Sequence, residues 1–223
     1  MSDEVLKDGK VARWTNYHKT FAQEVRRVSL KETSSKPSCF DLLRTVAEEF
    51  GQRMGSGEDL RPEGGRWSFS PLCQTSGKLF EQNGAGFDWP LSGHDVASGM
   101  DATILRLVSG ARTIRDLNAS LADANPQLSL ATSGASNGQA FAGATATGTH
   151  GSVMGWGGIQ DHVIGMHIVG GPRHSHWVEA TPTLSDRAME TLGAIRLTDA
   201  RLFDAALVHL GGLGFVNALL IRR

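Results

Sequence analysis

The amino-acid sequence predicts an α+β fold. Some segments repeat apolar residues at helical spacing, and others have the apolar pattern of strands. These segments follow one another without the regular strand–helix alternation that a doubly wound parallel sheet needs. The chain has 223 residues, 40% of them hydrophobic. This is enough to bury a core without disulfides or a structural metal.

Helices are predicted where a capping residue comes before a helical repeat. Ser38 caps the first helix, with Asp41 completing an approximate capping box, and Gly51 is expected to end it. The dipeptide Asn125-Pro126 ends the second helix, and Asp199 caps the third. The predicted helices span residues 38–50, 113–124 and 200–210.

Strands are predicted in apolar runs that lie between turn residues. The predicted strands span residues 77–82, 102–108, 161–169, 175–180 and 214–221. Residues 1–34 are mostly polar, with a short strand around Val25 and Val28. We expect them to form an N-terminal extension to a domain that covers 35–223.

The composition excludes several kinds of partner. The chain has 22 Lys and Arg against 23 Asp and Glu, a net charge of −1. It therefore offers no basic surface for nucleic acid. The N-terminal sequence MSDEVLKDGK has no apolar stretch, so we expect neither a signal peptide nor a membrane span. Two cysteines without a CxxC pattern favour a reducing compartment, and we expect a cytoplasmic protein.

The common site motifs give no match. The sequence contains no P-loop GxxxxGK[ST], no GxGxxG after a strand and no GxSxG turn. His174 and His176 alternate on a predicted strand, as metal ligands sometimes do. Because a third ligand is missing nearby, we expect these histidines to be solvated and predict no metal site.

Glycine is the unusual component. The 27 glycines make up about 12% of the chain, against an ordinary ~7%. They concentrate in segments 61–70, 131–158 and 211–214. Backbone amides in segments with small side chains can bind an anion such as pyrophosphate. The alternative is that these segments are tight structural loops.

Three sequence segments resemble one enzyme family. They are RPEGGRWSFSPL at 61–72, QAFAGATATGTHGSVMGWGGIQDHVIGMHIVGG at 139–171 and DARLFDAALVHLGGLGFVNALLIRR at 199–223. Their order and spacing resemble those of FAD-linked oxidases of the vanillyl-alcohol oxidase and p-cresol methylhydroxylase type. GATATGTHG is most typical of the aldonolactone and alditol oxidases in that family.

The resemblance implies a two-subdomain FAD-binding fold of the p-cresol methylhydroxylase type, with mixed sheets flanked by helices. The subdomains would cover about 35–110 and 111–223. The residues implied to lie near the pyrophosphate are Glu63, Gly64, Gly65, Arg66, Trp67 and Ser68. Those implied to line the ribityl chain and the pyrophosphate are Gly143, Thr147, Gly148, Thr149 and His150, and those near the adenine are Gly214, Phe215 and Val216.

The sequence departs from the family pattern at Trp67. The family often has a histidine there that bonds covalently to the flavin, and tryptophan does not form that bond. We therefore expect FAD to be bound non-covalently. The family also continues into a cap domain that forms the substrate pocket. We expect this chain to lack that domain, so no catalytic residue is predicted.

The resemblance also implies a reaction. A CH–OH group of a sugar lactone or polyol would be oxidised by hydride transfer to the flavin N5 atom. The alternatives are a non-catalytic or truncated binder of FAD or another nucleotide, and one subunit of a split oxidase completed by a separate cap-domain subunit.

Overall fold

Two β-sheets and five α-helices make up this computed structural model, which describes residues 6–30, 38–81 and 86–222. The strands of the first sheet are β1 (Leu6–Thr15), β2 (Ala22–Leu30), β3 (Leu60–Glu63) and β4 (Lys78–Glu81). Those of the second sheet are β5 (Asp88–Pro90), β6 (Leu105–Ser109), β7 (Val163–Gly171), β8 (His174–Glu179), β9 (Ile195–Thr198) and β10 (Phe215–Arg222). The helices are α1 (Cys39–Gly55), α2 (Ile114–Ala122), α3 (Phe141–Ala146), α4 (Asp186–Leu192) and α5 (Ala200–Leu207).

The first sheet has the strand order β1-β2-β4-β3. β1 and β2 form an antiparallel hairpin, and β2, β4 and β3 run parallel to one another. The region predicted as an N-terminal extension, 1–34, thus supplies two strands of this sheet in its described part, 6–30. Val25 and Val28 both lie in β2, where they are buried.

The second sheet has the strand order β5-β6-β10-β7-β8-β9. β10 lies between β6 and β7 and is antiparallel to both. Its residues are buried from Phe215 to Ile221, and all of them except Asn217 are apolar, which fits a strand covered on both faces. Because β5 and β6 belong to this sheet, the chain passes from the first sheet to the second between β4 and β5. The subdomain limits of about 35–110 and 111–223 stay predictions.

Helix α1 packs between the sheets and is longer than predicted. Ser38 caps it as expected, since its hydroxyl accepts a hydrogen bond from the Asp41 amide at 3.2 Å. Gly51 does not end the helix, which continues to Gly55. A Cβ atom at Gly51 would lie 3.0 Å from the carbonyl oxygen of Gly171. The small residue therefore allows close packing against β7 instead of terminating α1.

Three phenylalanines connect the two sheets through α1. Phe50 of α1 lies 5.0 Å from Phe80 of β4 and 4.7 Å from Phe215 of β10, measured between ring centroids. Phe80 and Phe215 are in turn 5.0 Å apart. All three side chains are buried. Aromatic packing at these distances holds the start of β10 against the first sheet.

The other helices agree only in part with those predicted from the sequence. The structure confirms the predicted helices at α2 and α5, which are capped by Thr113 and Asp199 and end slightly before their predicted limits. β1, β3, β5, β9, α3 and α4 were not predicted from the sequence. α3 has the sequence FAGATA, whose glycine and threonines weaken a helical signal.

A fully buried histidine links the second sheet to α1. The Nε2 atom of His167, in β7, lies 2.8 Å from Ser175 Oγ. Its Nδ1 atom lies 3.2 Å from Nδ2 of Asn217, which also donates to the Leu43 carbonyl oxygen of α1 at 2.8 Å. Burial lowers the pKa of His167 to about 3, and the neighbouring His176 adds to this effect. His167 is therefore neutral, with Nδ1 as acceptor and Nε2–H as donor.

Acid should destabilise the protein in part through His167. In the unfolded chain this imidazole has its usual pKa of 6.5 and binds a proton that the buried ring does not bind. The stabilisation is complete above that pH and is lost as the pH falls toward the folded-state pKa, by up to about 1.4 kcal/mol per pH unit. His167→Gln should reduce the slope of unfolding free energy against pH between about pH 6 and pH 4.

Urea denaturation at several pH values measures this slope. The matched control is His94→Gln, which removes an exposed histidine and should leave the slope unchanged. His162, whose pKa burial also lowers, is kept in both variants. An equal slope in His167→Gln and the wild type would contradict the assignment.

Candidate functional site

A cavity of about 750 Å³ lies where the two sheets meet. Its walls come from α1, β3, α3, β7 and the first residue of β10, together with the loops beside them. All three glycine-containing segments that the sequence analysis selected contribute to its lining. We name these parts the glycine loop (64–73), the α3 segment (136–147) and the β10 entry (210–215).

The glycine loop touches the α3 segment through its backbone. A Cβ atom at Gly65 would lie 2.5 Å from the Gly138 carbonyl oxygen and 3.0 Å from the Ala140 amide nitrogen. Conversely, a Cβ atom at Gly138 would overlap the indole ring of Trp67. A side chain at Gly65 would require backbone movement, and one at Gly138 would require the Trp67 indole to move, so part of the glycine content serves close packing between the loops.

The α3 segment forms the opposite wall. Gly143 has no neighbouring atom within 4 Å of a Cβ position, so its backbone is open toward the cavity. Thr147 also lines the cavity, and its hydroxyl donates to the Gly143 carbonyl oxygen at 2.9 Å. One of its hydrogen-bonding groups is therefore already used within the helix.

The β10 entry closes one end of the cavity. Leu210 and Gly211 both have positive φ, at 52° and 83°, and Gly214 has a φ of 121°. A Cβ atom at Gly214 would lie 2.7 Å from the Val169 carbonyl oxygen. Glycine at 214 therefore lets the chain pass close to β7 before Phe215 begins β10.

The cavity brings together most of the site residues that the sequence predicts, and leaves out the others. Those that line it are Gly64, Gly65, Arg66, Trp67, Ser68, Gly143, Thr147, Gly214 and Phe215. Those outside its lining are Glu63, Gly148, Thr149, His150 and Val216.

The residues outside the lining have other contacts. The Glu63 carboxylate is buried against the first sheet, where Arg27 Nη2 pairs with it at 2.8 Å. The amides of Gly148 and Thr149 donate to carbonyl oxygens of Thr145 and Ala144, at 3.0 and 2.9 Å. His150 is exposed and Val216 is buried in β10. Their roles toward a ligand stay predictions.

The charged lining of the cavity is cationic. Arg61 and Arg66 line it, and its lining includes no Asp or Glu from the described residues. Arg66 is neutralised, because its guanidinium lies 3.4 Å from carboxylate oxygens of both Glu63 and Glu81. Burial raises the pKa of the Cys73 thiol, so this lining residue is uncharged at neutral pH.

Arg61 is the available positive charge in this lining. Its Nε and Nη2 atoms donate to the Leu72 carbonyl oxygen at 2.9 and 2.7 Å. No carboxylate within residues 6–30, 38–81 or 86–222 forms a salt bridge with it. A charge held in place by an uncharged carbonyl is suited to binding an anionic group of a ligand.

The glycine loop also has backbone donors to spare. Among the parts of the chain that the structure describes, the amides of Gly65, Trp67 and Ser68 have no hydrogen-bond acceptor. Free amides close together in one loop, as at Gly65, Trp67 and Ser68, are typical of anion-binding loops. The notion that the glycine segments are only structural loops therefore explains their packing but not these unused donors.

Several lining residues were missed by the sequence analysis. They are His18, Phe50, Met54, Leu72, Gln139 and Leu210. The apolar face of the first predicted helix contained a signal for Phe50, although not for its second role beside a cavity. His18 gave no signal, because its place depends on how the β1–β2 hairpin packs. There the His18 ring stacks on Phe69 with centroids 3.9 Å apart.

Neither a metal cluster nor a membrane-spanning helix is found in the described residues. Within the described ranges, no three residues among His, Cys, Asp and Glu lie close enough together to hold a metal ion. The rings of His174 and His176 are 6.1 Å apart. The helices found in these same ranges are all too short or too polar to cross a lipid bilayer.

Solved structures share this fold. One is a histidine-to-alanine mutant of cholesterol oxidase from Brevibacterium sterolicum, with a TM-score of 0.61 and 14% sequence identity. Another is cholesterol oxidase from B. sterolicum, with a TM-score of 0.59 and 14% identity. Each match covers 100% of this chain and 38% of the other chain. The likeness confirms the predicted α+β fold of mixed sheets flanked by helices. No protein-family model and no curated protein matches the sequence.

We expect the absence of a side chain at Gly65 to stabilise the packing of the glycine loop. Gly65→Ala would force a methyl group against backbone atoms of the α3 segment, and should cost about 1–3 kcal/mol of unfolding free energy. Gly143→Ala is the matched control, because the added methyl group meets no atom and alanine favours a helix. Thermal and urea denaturation measure both. Equal stability of the two variants would contradict this account.

Proposed function

We propose that this chain is the FAD-binding domain of a flavin-dependent oxidoreductase and that it holds FAD non-covalently. The observation that supports the proposal most strongly is the meeting of three separate glycine segments at one cavity between the two sheets. Each segment was selected from the sequence by its resemblance to a different part of an FAD site. If the three segments had been selected by chance, they would not be expected to meet at one cavity.

The residues present fit such a ligand. A volume of about 750 Å³ lies in the range of roughly 300–1,000 Å³ that is common for ligand pockets. The unused amides of Gly65, Trp67 and Ser68, with the unpaired Arg61, would hold the pyrophosphate. The open backbone at Gly143 and Thr147 would lie along the ribityl chain, and the backbone at Gly214 and Phe215 near the adenine.

The chain's own contribution is binding and orientation. When bound, FAD supplies the chemistry, accepting a hydride from a CH–OH carbon at its N5 atom. The fixed glycine loop holds its amides in position before binding, which reduces the entropic cost of ordering it. The cationic lining favours the anionic part of the ligand, and the apolar side chains of Phe50 and Met54 exclude water from one end.

The proposed substrate is a sugar lactone or polyol. This class rests on the resemblance of GATATGTHG to the aldonolactone and alditol oxidases. The structural neighbours are named for cholesterol, so their names support an oxidase but not this substrate class. Because the chain spans 38% of the length of those neighbours, we propose that the substrate pocket is completed by residues outside it, such as those of a separate cap-domain subunit.

A second candidate is a flavin or nucleotide binder without turnover. Trp67 stacks on Tyr17, with ring centroids 3.9 Å apart and planes inclined by 14°. That face of the indole is therefore covered by the protein and is not available to a ligand ring. Reduction of bound FAD by lactones or alditols, measured with this chain alone, would eliminate the candidate.

The visible spectrum of the purified protein tests the main proposal. After incubation with FAD and removal of the excess, the protein should be yellow with a flavin absorption spectrum. Acid precipitation should leave the colour in the supernatant, because Trp67 forms no covalent bond. Protein that stays colourless would contradict FAD binding. A yellow pellet would contradict only the non-covalent attachment and would make His18 the residue to test.

Arg61 should contribute to FAD affinity through its charge. Arg61→Gln should raise the Kd for FAD by roughly tenfold or more, since hydrogen bonds to charged groups contribute about 1.5–3 kcal/mol. The control is Arg115→Gln on α2, whose side chain is 66% exposed and lies outside the cavity.

Fluorescence titration measures both constants at two salt concentrations. The wild type and Arg115→Gln should lose affinity in high salt more steeply than Arg61→Gln. Identical affinities for all three proteins would show that Arg61 does not face the anionic part of the ligand.

A further inference from the structure

The β1–β2 hairpin holds the glycine loop along its whole length. This hairpin gave no functional signal in the sequence, and it lies outside all three segments that resemble the oxidase family. Its strands and its turn, residues 16–21, contact the loop at its start, its middle and its end.

At the start, both strands of the hairpin bind the carboxylate of Glu63, the residue before the loop. The Trp14 Nε1 atom donates to Glu63 Oε2. Arg27 donates to Glu63 Oε1 through Nε at 3.1 Å and Nη2 at 2.8 Å, and it also pairs with Glu81. Glu63 is thereby fixed in a buried position, although it lies outside the cavity lining.

In the middle, the hairpin turn takes up backbone carbonyl groups of the loop. The Tyr17 amide donates to the Arg66 carbonyl oxygen at 2.7 Å. The Asn16 Nδ2 atom donates to the Ser68 carbonyl oxygen at 2.9 Å, and Thr20 Oγ1 donates to that of Phe69 at 3.1 Å. The carbonyl side of the loop is therefore bound to the hairpin, while the amides of Gly65, Trp67 and Ser68 stay unused.

Asn16 is central to this arrangement. Its side chain is buried, and Nδ2 also donates to Thr20 Oγ1 at 2.7 Å, while Oδ1 accepts from the Phe21 amide at 3.2 Å. One side chain thus shapes the turn and binds the loop. A buried, fully hydrogen-bonded amide of this kind fixes one geometry, because any other leaves a polar group without a partner.

At the end of the loop, Gln23 of β2 makes the last contacts. Its Nε2 atom donates to the Cys73 carbonyl oxygen at 2.9 Å, and its Oε1 atom accepts from the Thr75 amide at 3.1 Å. Ring stacking adds to the middle contacts, because Tyr17 lies on Trp67 and His18 on Phe69. His18 also reaches the cavity lining.

We infer that the β1–β2 hairpin is part of the ligand site and that Asn16 is its positioning residue. Asn16 touches no ligand in this account; it acts by holding the glycine loop with its amides free for an anionic, phosphate-containing ligand. The ordering of the loop is then complete before the ligand arrives, which raises affinity. This inference rests on the proposed function for the identity of the ligand. The contacts by which the hairpin holds the loop are independent of that function.

The test compares Asn16→Ala with Val11→Thr, which alters an exposed residue of the same hairpin without a loop contact. Two quantities are measured: the rate of trypsin cleavage after Arg66 in the ligand-free protein, and the Kd for FAD. Asn16→Ala should increase both by roughly tenfold, the effect of about one lost buried hydrogen bond. Val11→Thr should change neither.

The two readouts separate this inference from the proposed function. If the wild type does not bind FAD, the proposed function fails, and the cleavage rate still decides whether Asn16 holds the loop. An unchanged cleavage rate in folded Asn16→Ala overturns the inference, as does faster cleavage with unchanged FAD affinity. Should Asn16→Ala not fold, Thr20→Val decides by the same criteria, since it removes the hydroxyl that donates to the Phe69 carbonyl oxygen and accepts from Asn16 Nδ2.

Discussion

The site depends on a backbone contact between two loops that belong to different sheets. The glycine loop follows β3 of the first sheet, and the α3 segment leads toward the second. They meet where Gly65 faces the Gly138 carbonyl and Trp67 covers Gly138. A side chain at either glycine would push the loops apart. The distance between the two loops at this point is therefore set by close packing that involves main-chain atoms.

Charge is distributed around this contact in two different ways. Arg27 and Arg66 pair with Glu63 and Glu81, and their interactions stabilise the first sheet beside the loop. Arg61, five residues before Arg66 in the sequence, escapes this network because its guanidinium binds a carbonyl group instead of a carboxylate. Two arginines of one short motif thus have separate tasks, one structural and one suited to a ligand.

Local signals in the sequence predicted much of the fold but not how its parts meet. Ser38 and Thr113 marked helix starts because a capping side chain acts on amides only a few residues away. The prediction that Gly51 ends the first helix was wrong, because a small residue is needed there for close contact with Gly171, far along the chain. The place of β10 between β6 and β7 likewise depends on distant partners, which periodicity does not identify.

For the site, composition and resemblance selected segments that meet at one cavity, but they could not show which way each residue faces. The glycine-rich stretches were visible without a structure, and nine of their predicted residues line the cavity. Thr149 was selected by its place in a motif, yet its amide closes the end of α3. His18 and Asn16 belong to a polar hairpin with no pattern of its own, so only the pairing of β2 with β4 brings them to the loop.

The position of β10 also bears on how the chain matures. It is the last strand of its sheet in sequence, yet it occupies an interior place between β6 and β7. While the polypeptide emerges from the ribosome, the edges of β6 and β7 that pair with β10 lack this partner until residues 215–222 are made. A nascent chain halted before Phe215 would expose unpaired backbone groups on one edge of β6 and one edge of β7. The described strands of the first sheet, in contrast, are all made by Glu81. Chaperones and proteases would thus act on a molecule in which the first sheet is complete and the second sheet is not.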